Sequence, residues 1–171
     1  IAGDQANNDG WEFRGRSSLS LGKLNKDYFT IGTSPAFYIK CKFSIANVSG
    51  IDDLRMGFAK VEAFTATTDD YNDIATMACL AGDINTSTIT GNETTINTDL
   101  TAPSSGDWVD AATHTFQVNV SAQGVVTYLL DSTTPTGAIA YTFTDGLHVT
   151  PFWYHINDSD IGGDIIWQEF S

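Results

Sequence analysis

The chain has 171 residues, 42% of them hydrophobic and 12% aromatic, which excludes wholesale disorder and allows one sizeable core. We therefore expect residues 1–171 to form one domain. The formal net charge is -13 and every Lys and Arg precedes residue 61. So negative a surface would repel phosphate backbones, and we expect no sequence-independent binding of nucleic acid. No apolar run of about 18 residues is present, so the sequence predicts no membrane span.

The first clear strand is the stretch AFYIKCKFSI, residues 36–45. Apolar side chains occupy every second position, at Phe37, Ile39, Cys41, Phe43 and Ile45. Such a period of two predicts a strand with one face on a core and one face in water. Leu54, Met56 and Phe58 repeat the pattern after a turn.

Residues 64–82 do not continue this alternation. Their first half is polar and acidic, and their second half, IATMACLAG, is apolar without a clear period. We interpret this segment as a long excursion with room for one helical turn. Two short strands are predicted next, on either side of Gly91 and Asn92.

The second half of the chain is typical of β-hairpins. The stretches HTFQVNVS and GVVTYLLD are predicted to pair across a turn at residues 122–124. Three more strands, AIAYTFT, HVTPFWYHIN and GDIIWQEF, complete the chain. About ten short strands without a long helix predict an all-β fold, a two-sheet antiparallel β-sandwich or a barrel.

The two cysteines, Cys41 and Cys79, are too few for a zinc site. Two buried free thiols are the first interpretation, and a single disulfide is the alternative. No metal or other cofactor is expected from them.

The stretch DWVDAATHTFQVNVSAQGVVTYLLDSTTPT resembles the concanavalin A-like lectin/glucanase superfamily. The resemblance lies in the order of Trp108, the strand that begins at His114 and the return strand that ends at Asp131. It implies a jelly roll. Within that superfamily two stretches, FTIGTSPAFYIKCKFSI and the C-terminal HVTPFWYHINDSDIGGDIIWQEF, are most similar to jelly-roll proteins of tailed phages. This resemblance implies that the chain is a component of the virion surface.

Hydrolysis of glycosides is not expected. It requires two carboxylates that flank the scissile bond, and the glucanases of the superfamily carry them as Glu-x-Asp motifs on one strand. None of the four Glu residues here is followed two places later by an acid. A serine nucleophile elbow is also missing, so we expect no enzyme activity and no catalytic residues.

The stretch DDYND offers the only metal candidates. Asp69, Asp70 and Asp73 cluster the oxygen ligands that calcium prefers, yet the glycine and the distant Glu of an EF-hand are missing. A solvated acidic loop is the favoured explanation of the stretch. The prediction is therefore no metal, with these three residues as weak calcium candidates.

The last long strand carries the candidate contact residues. Alternation places Phe152 and Tyr154 on one face, expected to be core, and Pro151, Trp153 and His155 on the other. The second face is open to three interpretations, which are packing within the sandwich, a protein contact and a glycan platform. Since proline cannot donate to a β-ladder, Pro151 predicts an edge strand or a bulge, and an interface between subunits near it.

These features lead to a main hypothesis and an alternative. The main one is a non-enzymatic virion structural protein, a capsid decoration or cement protein on a phage head. Its partner is the major capsid protein, it forms a homo-oligomer such as a trimer, and its basic N-terminal third faces the partner. The alternative is an extracellular, lectin-like carbohydrate-binding module, with or without calcium, that uses Trp153 and His155.

Overall fold

The computed structural model describes residues 10–14, 19–20, 23–24, 28–63, 68–91, 95–100, 108–157 and 165–171. These residues form fourteen β-strands and two short 3₁₀-helices. The strands are β1 (Gly10–Arg14), β2 (Leu19–Ser20), β3 (Lys23–Leu24), β4 (Phe29–Thr30), β5 (Phe37–Ile45), β6 (Ile51–Lys60), β7 (Ile74–Leu80), β8 (Asp83–Ile89), β9 (Ile96–Asp99), β10 (Thr113–Val120), β11 (Val125–Leu130), β12 (Tyr141–Thr142), β13 (His148–Asn157) and β14 (Ile165–Phe170). The 3₁₀-helices are Val48–Gly50 and Thr68–Asp70.

Two antiparallel sheets dominate the structure. The larger sheet has seven strands in the order β1-β13-β6-β7-β8-β9, with β4 paired to β13 beside β1. The smaller sheet has five strands in the order β12-β11-β10-β5-β14. The prediction of an all-β, two-sheet antiparallel sandwich is therefore confirmed. In the part of the chain that the structure describes, no helix is long and apolar enough to cross a membrane.

The main core lies between the two sheets and is aromatic at its centre. Phe43 on β5 is fully buried, with its ring centroid 5.0 Å from that of Trp108, 5.3 Å from that of Phe116 and 5.2 Å from that of Trp153. The apolar positions of the alternating β5 pattern are the ones that face this core. The period of two in the sequence thus predicted the inner face of β5 correctly.

The interpretation of residues 74–82 as an excursion is wrong. Residues 74–80 form β7, a central strand paired with β6 on one side and β8 on the other. Ile74 to Cys79 are buried without alternation, because both faces of β7 are covered. A strand buried on two faces has no polar face, so its period is invisible in the sequence. The expected helical turn is present at Thr68–Asp70.

Gly57 lies in the middle of β6, opposite Thr76 of β7. A Cβ atom at this position would overlap the carbonyl oxygen of Ala75 and lie 2.8 Å from the Cα of Thr76. Glycine in a strand interior marks such a close backbone approach. The residue therefore allows β6 and β7 to pack tightly at the centre of the larger sheet.

Cys41 and Cys79 are both buried and free. This agrees with the first interpretation of the sequence and not with the disulfide. Burial raises the pKa of each thiol to about 12, with Glu169 adding to the effect at Cys41. Both thiols stay protonated at neutral pH and belong to the core.

Pro151 lies neither on an edge strand nor at a bulge, contrary to the prediction, since it stays in register with Phe58 of β6. It is in β13, which pairs with β6 on one side and with β1 and β4 on the other. On that second side β4 pairs with residues up to Val149 and β1 pairs from Phe152 onward, so Pro151 falls between the two partners. A residue without an N–H is tolerated there because no ladder bond is required of it.

Candidate functional site

Trp153 and His155 are core residues. Their side chains are 3% and 1% exposed, and they face the smaller sheet from β13. The ring of Trp153 packs 4.2 Å, centroid to centroid, from that of Trp167. In this fold neither side chain has the exposed surface that a contact with a ligand or a partner requires. Packing within the sandwich, the first of the three interpretations, therefore accounts for both residues. Pro151 is only partly buried.

The burial of His155 predicts a pH-dependent stability. Desolvation lowers its pKa to about 4, although Asp53 opposes the shift. Between the unfolded value of about 6.5 and the folded value, the unfolded state binds a proton that the folded state does not. We therefore expect the free energy of unfolding to decrease as the pH is lowered through this window, by about 2 kcal/mol between pH 7 and pH 5 from this group.

Urea titrations at both pH values would measure this loss. In His155→Gln the difference between pH 7 and pH 5 should shrink by about the same 2 kcal/mol. Val149→Ala is a matched control, since it opens a cavity on the same face of β13 and removes no titratable group. It should lower stability equally at both pH values. A pH dependence that survives in His155→Gln would contradict the assignment.

The calcium candidates do not converge. Asp69 and Asp70 are exposed, and Asp69 accepts a hydrogen bond from the hydroxyl of Thr95. Asp73 accepts a hydrogen bond from the amide of Gly91 at 3.2 Å. Over the residues that the structure describes, no group of three His, Cys, Asp or Glu side chains could hold a metal ion.

The outer face of the larger sheet carries a second apolar cluster. Its members are Ala59, Tyr71, Ile74, Ile89, Phe152 and Tyr154. Tyr71 follows the 3₁₀-helix Thr68–Asp70, covers the cluster and donates a hydrogen bond to the carboxylate of Glu12. Phe152 and Tyr154 are thus core residues, as predicted, but of this second cluster and not of the space between the sheets.

Arg55 is buried beside this second cluster, on the same outer face. It is 4% exposed, and its Nε donates to both carboxylate oxygens of Asp53 at 2.7 and 3.0 Å. Its guanidinium also bonds the hydroxyl of Ser87, while Thr68 donates to Asp53 at 3.0 Å. This group is internally satisfied and largely closed to solvent, so it serves the structure of the sheet.

An accessible groove lies instead on the outer face of the smaller sheet. We call it the Tyr38 groove; its volume is about 290 Å³, near the lower end of the range for ligand pockets. Tyr38 provides the largest exposed apolar surface in it, with 54% of the residue exposed. The lining residues come from β5, β10, β11 and their ends: Ala36, Phe37, Tyr38, Asn119, Val120, Ser121, Val125 and Thr127.

Polar side chains are ordered along the floor of the Tyr38 groove. Asn119 is directly opposite Tyr38 on β10, and Thr127 is opposite Asn119 on β11. The amide of Gln117 donates to Asn119 Oδ1 at 2.6 Å, and Asn119 Nδ2 lies 3.5 Å from the hydroxyl of Thr127. An aromatic ring next to fixed amide and hydroxyl groups can stack on a ligand and hydrogen-bond it.

The sequence contains the signal for this groove, although the predicted site was placed elsewhere. The alternation of β5 puts Tyr38 on the face opposite to the core, where an aromatic residue leaves apolar surface exposed to solvent. The polar alternates of β10, Gln117 and Asn119, form the neighbouring row. The sequence could not show that β5 and β10 are adjacent, because four other strands, β6 to β9, separate them along the chain.

Comparisons with known proteins support the fold. No protein-family model matches the chain, and no curated protein matches its sequence. Among solved structures, a point mutant of the Emp46p carbohydrate recognition domain aligns over 96% of this chain and 78% of its own, with a TM-score of 0.60 and 11% identity. Sheep galectin-11 in complex with glycerol aligns over 84% of this chain and 94% of its own, with a TM-score of 0.52 and 11% identity.

An enzyme is also among the similar structures. The alginate lyase PA1167 from Pseudomonas aeruginosa aligns over 82% of this chain and 64% of its own, with a TM-score of 0.53 and 10% identity. Identities this low establish the fold and leave function open. The chain has the lectin-like jelly-roll β-sandwich fold of the concanavalin A-like type.

Proposed function

We propose that the chain is a non-enzymatic, lectin-like carbohydrate-binding module. Two of the three similar structures described above are a carbohydrate recognition domain and a galectin, which supports this choice over capsid decoration. None of the three is a virion component, so the phage hypothesis rests on the sequence resemblance alone. The proposed partner is a glycan, and the virion partner and location have no structural support.

The observation that carries the proposal is the Tyr38 groove. It combines an exposed aromatic ring with the side chains of Asn119, Ser121 and Thr127. Sugars present apolar C–H faces and many hydroxyl groups, and these are complementary to a ring and to amide and hydroxyl groups, respectively. The groove is open, and its volume of about 290 Å³ is of the size of one or two sugar units.

The lining of the Tyr38 groove also supports sugar binding without hydrolysis of the sugar. Its lining contains no Asp and no Glu among the residues that the structure describes. Glycoside hydrolysis needs two carboxylates on opposite sides of the scissile bond. A sugar held against Tyr38 would therefore meet no acid and base pair from the lining.

A glycan array probed with the intact chain tests the proposal. We expect Tyr38→Ala to weaken binding about 10-fold or more, because the stacking surface is lost, and Tyr38→Phe to retain most of it. Phe170→Ala is the matched control, since Phe170 is a similarly exposed aromatic residue on β14 of the same sheet. Absence of any bound glycan, or equal binding by Tyr38→Ala and wild type, would refute the proposal.

A further inference from the structure

A basic strip extends the Tyr38 groove along β5. Tyr38, Lys40 and Lys42 occupy successive outward positions of this strand, opposite Asn119, Gln117 and Thr115 of β10. From Tyr38 to Lys42 the strip is about 14 Å long, at roughly 3.4 Å per residue. It is therefore continuous with the groove and long enough for more than one sugar unit.

The charge of this strip is opposite to that of the chain. Residues 61–171 contain no Lys or Arg and 15 Asp and Glu, whereas two of the eight basic residues are in the strip. Charges farther apart than about 8 Å are largely screened at physiological salt. The electrostatic energy of a ligand bound on β5 therefore depends far more on the charged groups beside the strip than on the net charge of -13.

Glu169 and Asp131 lie beside the strip, and both have partners. On one side Glu169 of β14 is the register partner of Lys42 and forms an ion pair with Lys40. On the other side Asp131 accepts a hydrogen bond from the amide of Thr115 and pairs with His114, each at 2.8 Å. These contacts bind the Asp131 carboxylate to the β10 backbone and to His114, whereas Glu169 is paired with a lysine of the strip, so Glu169 is the acid that a ligand must displace.

The lysines are accessible. Lys42 is exposed, and in the described part of the chain it forms no ion pair. Lys40 pairs with Glu169 at 3.2 Å, with both side chains partly exposed. Exposed ion pairs of this kind contribute little to stability, so a ligand anion can replace Glu169 at low cost.

We infer that the Tyr38 groove and the basic strip together bind an acidic sugar chain, with Tyr38 under one sugar ring and Lys40 and Lys42 on the anionic groups of the following units. The inference rests on the proposed function and adds the ligand class. The ammonium group of a lysine is a compact point charge, so it can pair with a carboxylate or with a sulfate group. The shared chemistry is therefore an anionic oligosaccharide, with uronate and sulfated sugars as its two sources.

Calorimetric titrations with three hexasaccharides would test this. The probes are a uronic-acid oligomer, a sulfated neutral oligomer and its unsulfated parent, each titrated into the intact chain. We expect at least one acidic probe to bind about 10-fold more tightly than the neutral parent, and raising the salt from about 50 to 500 mM to remove most of that advantage. Preference between the two acidic probes would identify the source of the anion.

Variants separate the strip from the rest of the surface. Lys42→Gln and Lys40→Gln should each reduce affinity for the acidic probe by roughly 3- to 10-fold and leave the neutral probe unchanged. Lys60→Gln is the matched control, because Lys60 ends β6 of the other sheet. It should bind like the wild type.

The outcomes distinguish the two proposals. Equal binding of acidic and neutral probes would overturn the inference and leave carbohydrate binding intact. Acidic binding that is unaffected by both Lys40→Gln and Lys42→Gln would overturn the assignment to this strip. Binding of no sugar by the wild type would overturn both the inference and the proposed function.

Discussion

Replacing Asp53 with Ala is expected to lower the free energy of unfolding by about 3–5 kcal/mol, as for other buried ion pairs that lose one partner. Arg55 is 4% exposed, and Asp53 accepts both of the Nε contacts described above. Without the carboxylate a buried guanidinium keeps its charge, because an Arg side chain does not deprotonate. Thr68 also loses an acceptor, so the segment that covers the outer face should loosen.

The coupling between Asp53 and Arg55 can be measured by urea unfolding of Asp53→Ala, of Arg55→Met and of the variant that carries both changes. Asp53→Ala combined with Arg55→Met removes both charges and should recover a large part of the lost stability. Lys40→Ala, which breaks the exposed pair with Glu169, is the control and should cost less than about 1 kcal/mol. A loss in Asp53→Ala no larger than in this control would show that the buried pair does not stabilise the sheet.

Phe43→Ala is expected to be comparably severe, with a loss of about 3–5 kcal/mol. Phe43 is fully buried and contacts aromatic rings on both sheets, including Phe116 of β10 and Trp153 of β13. Truncation leaves a cavity that rigid aromatic neighbours cannot readily fill. The contact between the two sheets would be weakened at its centre.

Tyr38→Ala provides the comparison on the same strand. Its ring is on the outer face and more than half of the residue is exposed, so the free energy of unfolding, measured in urea, should change by only about 0.5–1 kcal/mol. Phe43→Leu should recover more than half of the stability lost in Phe43→Ala, because it restores much of the volume. Similar losses in Phe43→Ala and Tyr38→Ala would contradict the described orientation of β5.

These two strand faces also separate stability from the proposed binding. The inner positions of β5 hold the sandwich together, and the outer positions carry Tyr38 and the two lysines. Substitutions at the outer positions can therefore change ligand affinity without unfolding the chain. A change in affinity in these variants therefore reports on the outer face of β5 and not on loss of the fold.

Several elements were predictable from residue pattern alone. The strict alternation of β5 and of the β10–β11 hairpin predicted the strands, their inner faces and the all-β class. β7 was not predictable, because a strand covered on both faces shows no alternation. The length of β12 was overestimated: only Tyr141 and Thr142 pair, although the whole stretch 138–144 was predicted as a strand.

The candidate site illustrates the same division. Alternation placed Trp153 and His155 on one face of β13 and Phe152 and Tyr154 on the other, and this separation is correct. It could not show that both faces are covered, one by the smaller sheet and the other by Tyr71 and its neighbours. For this reason the sequence offered Trp153 and His155 as exposed contact residues, although both are buried.

The sequence by itself determined the all-β class and the inner and outer faces of the alternating strands, because a period of two is a local property of the chain. Only the tertiary structure decided which outer faces stay open. The second face of β13 and the Arg55 group are closed by segments distant in sequence, while the outer face of β5 remains accessible beside β10. Burial of a face depends on what packs over it, and that information is not contained in the strand's own residues.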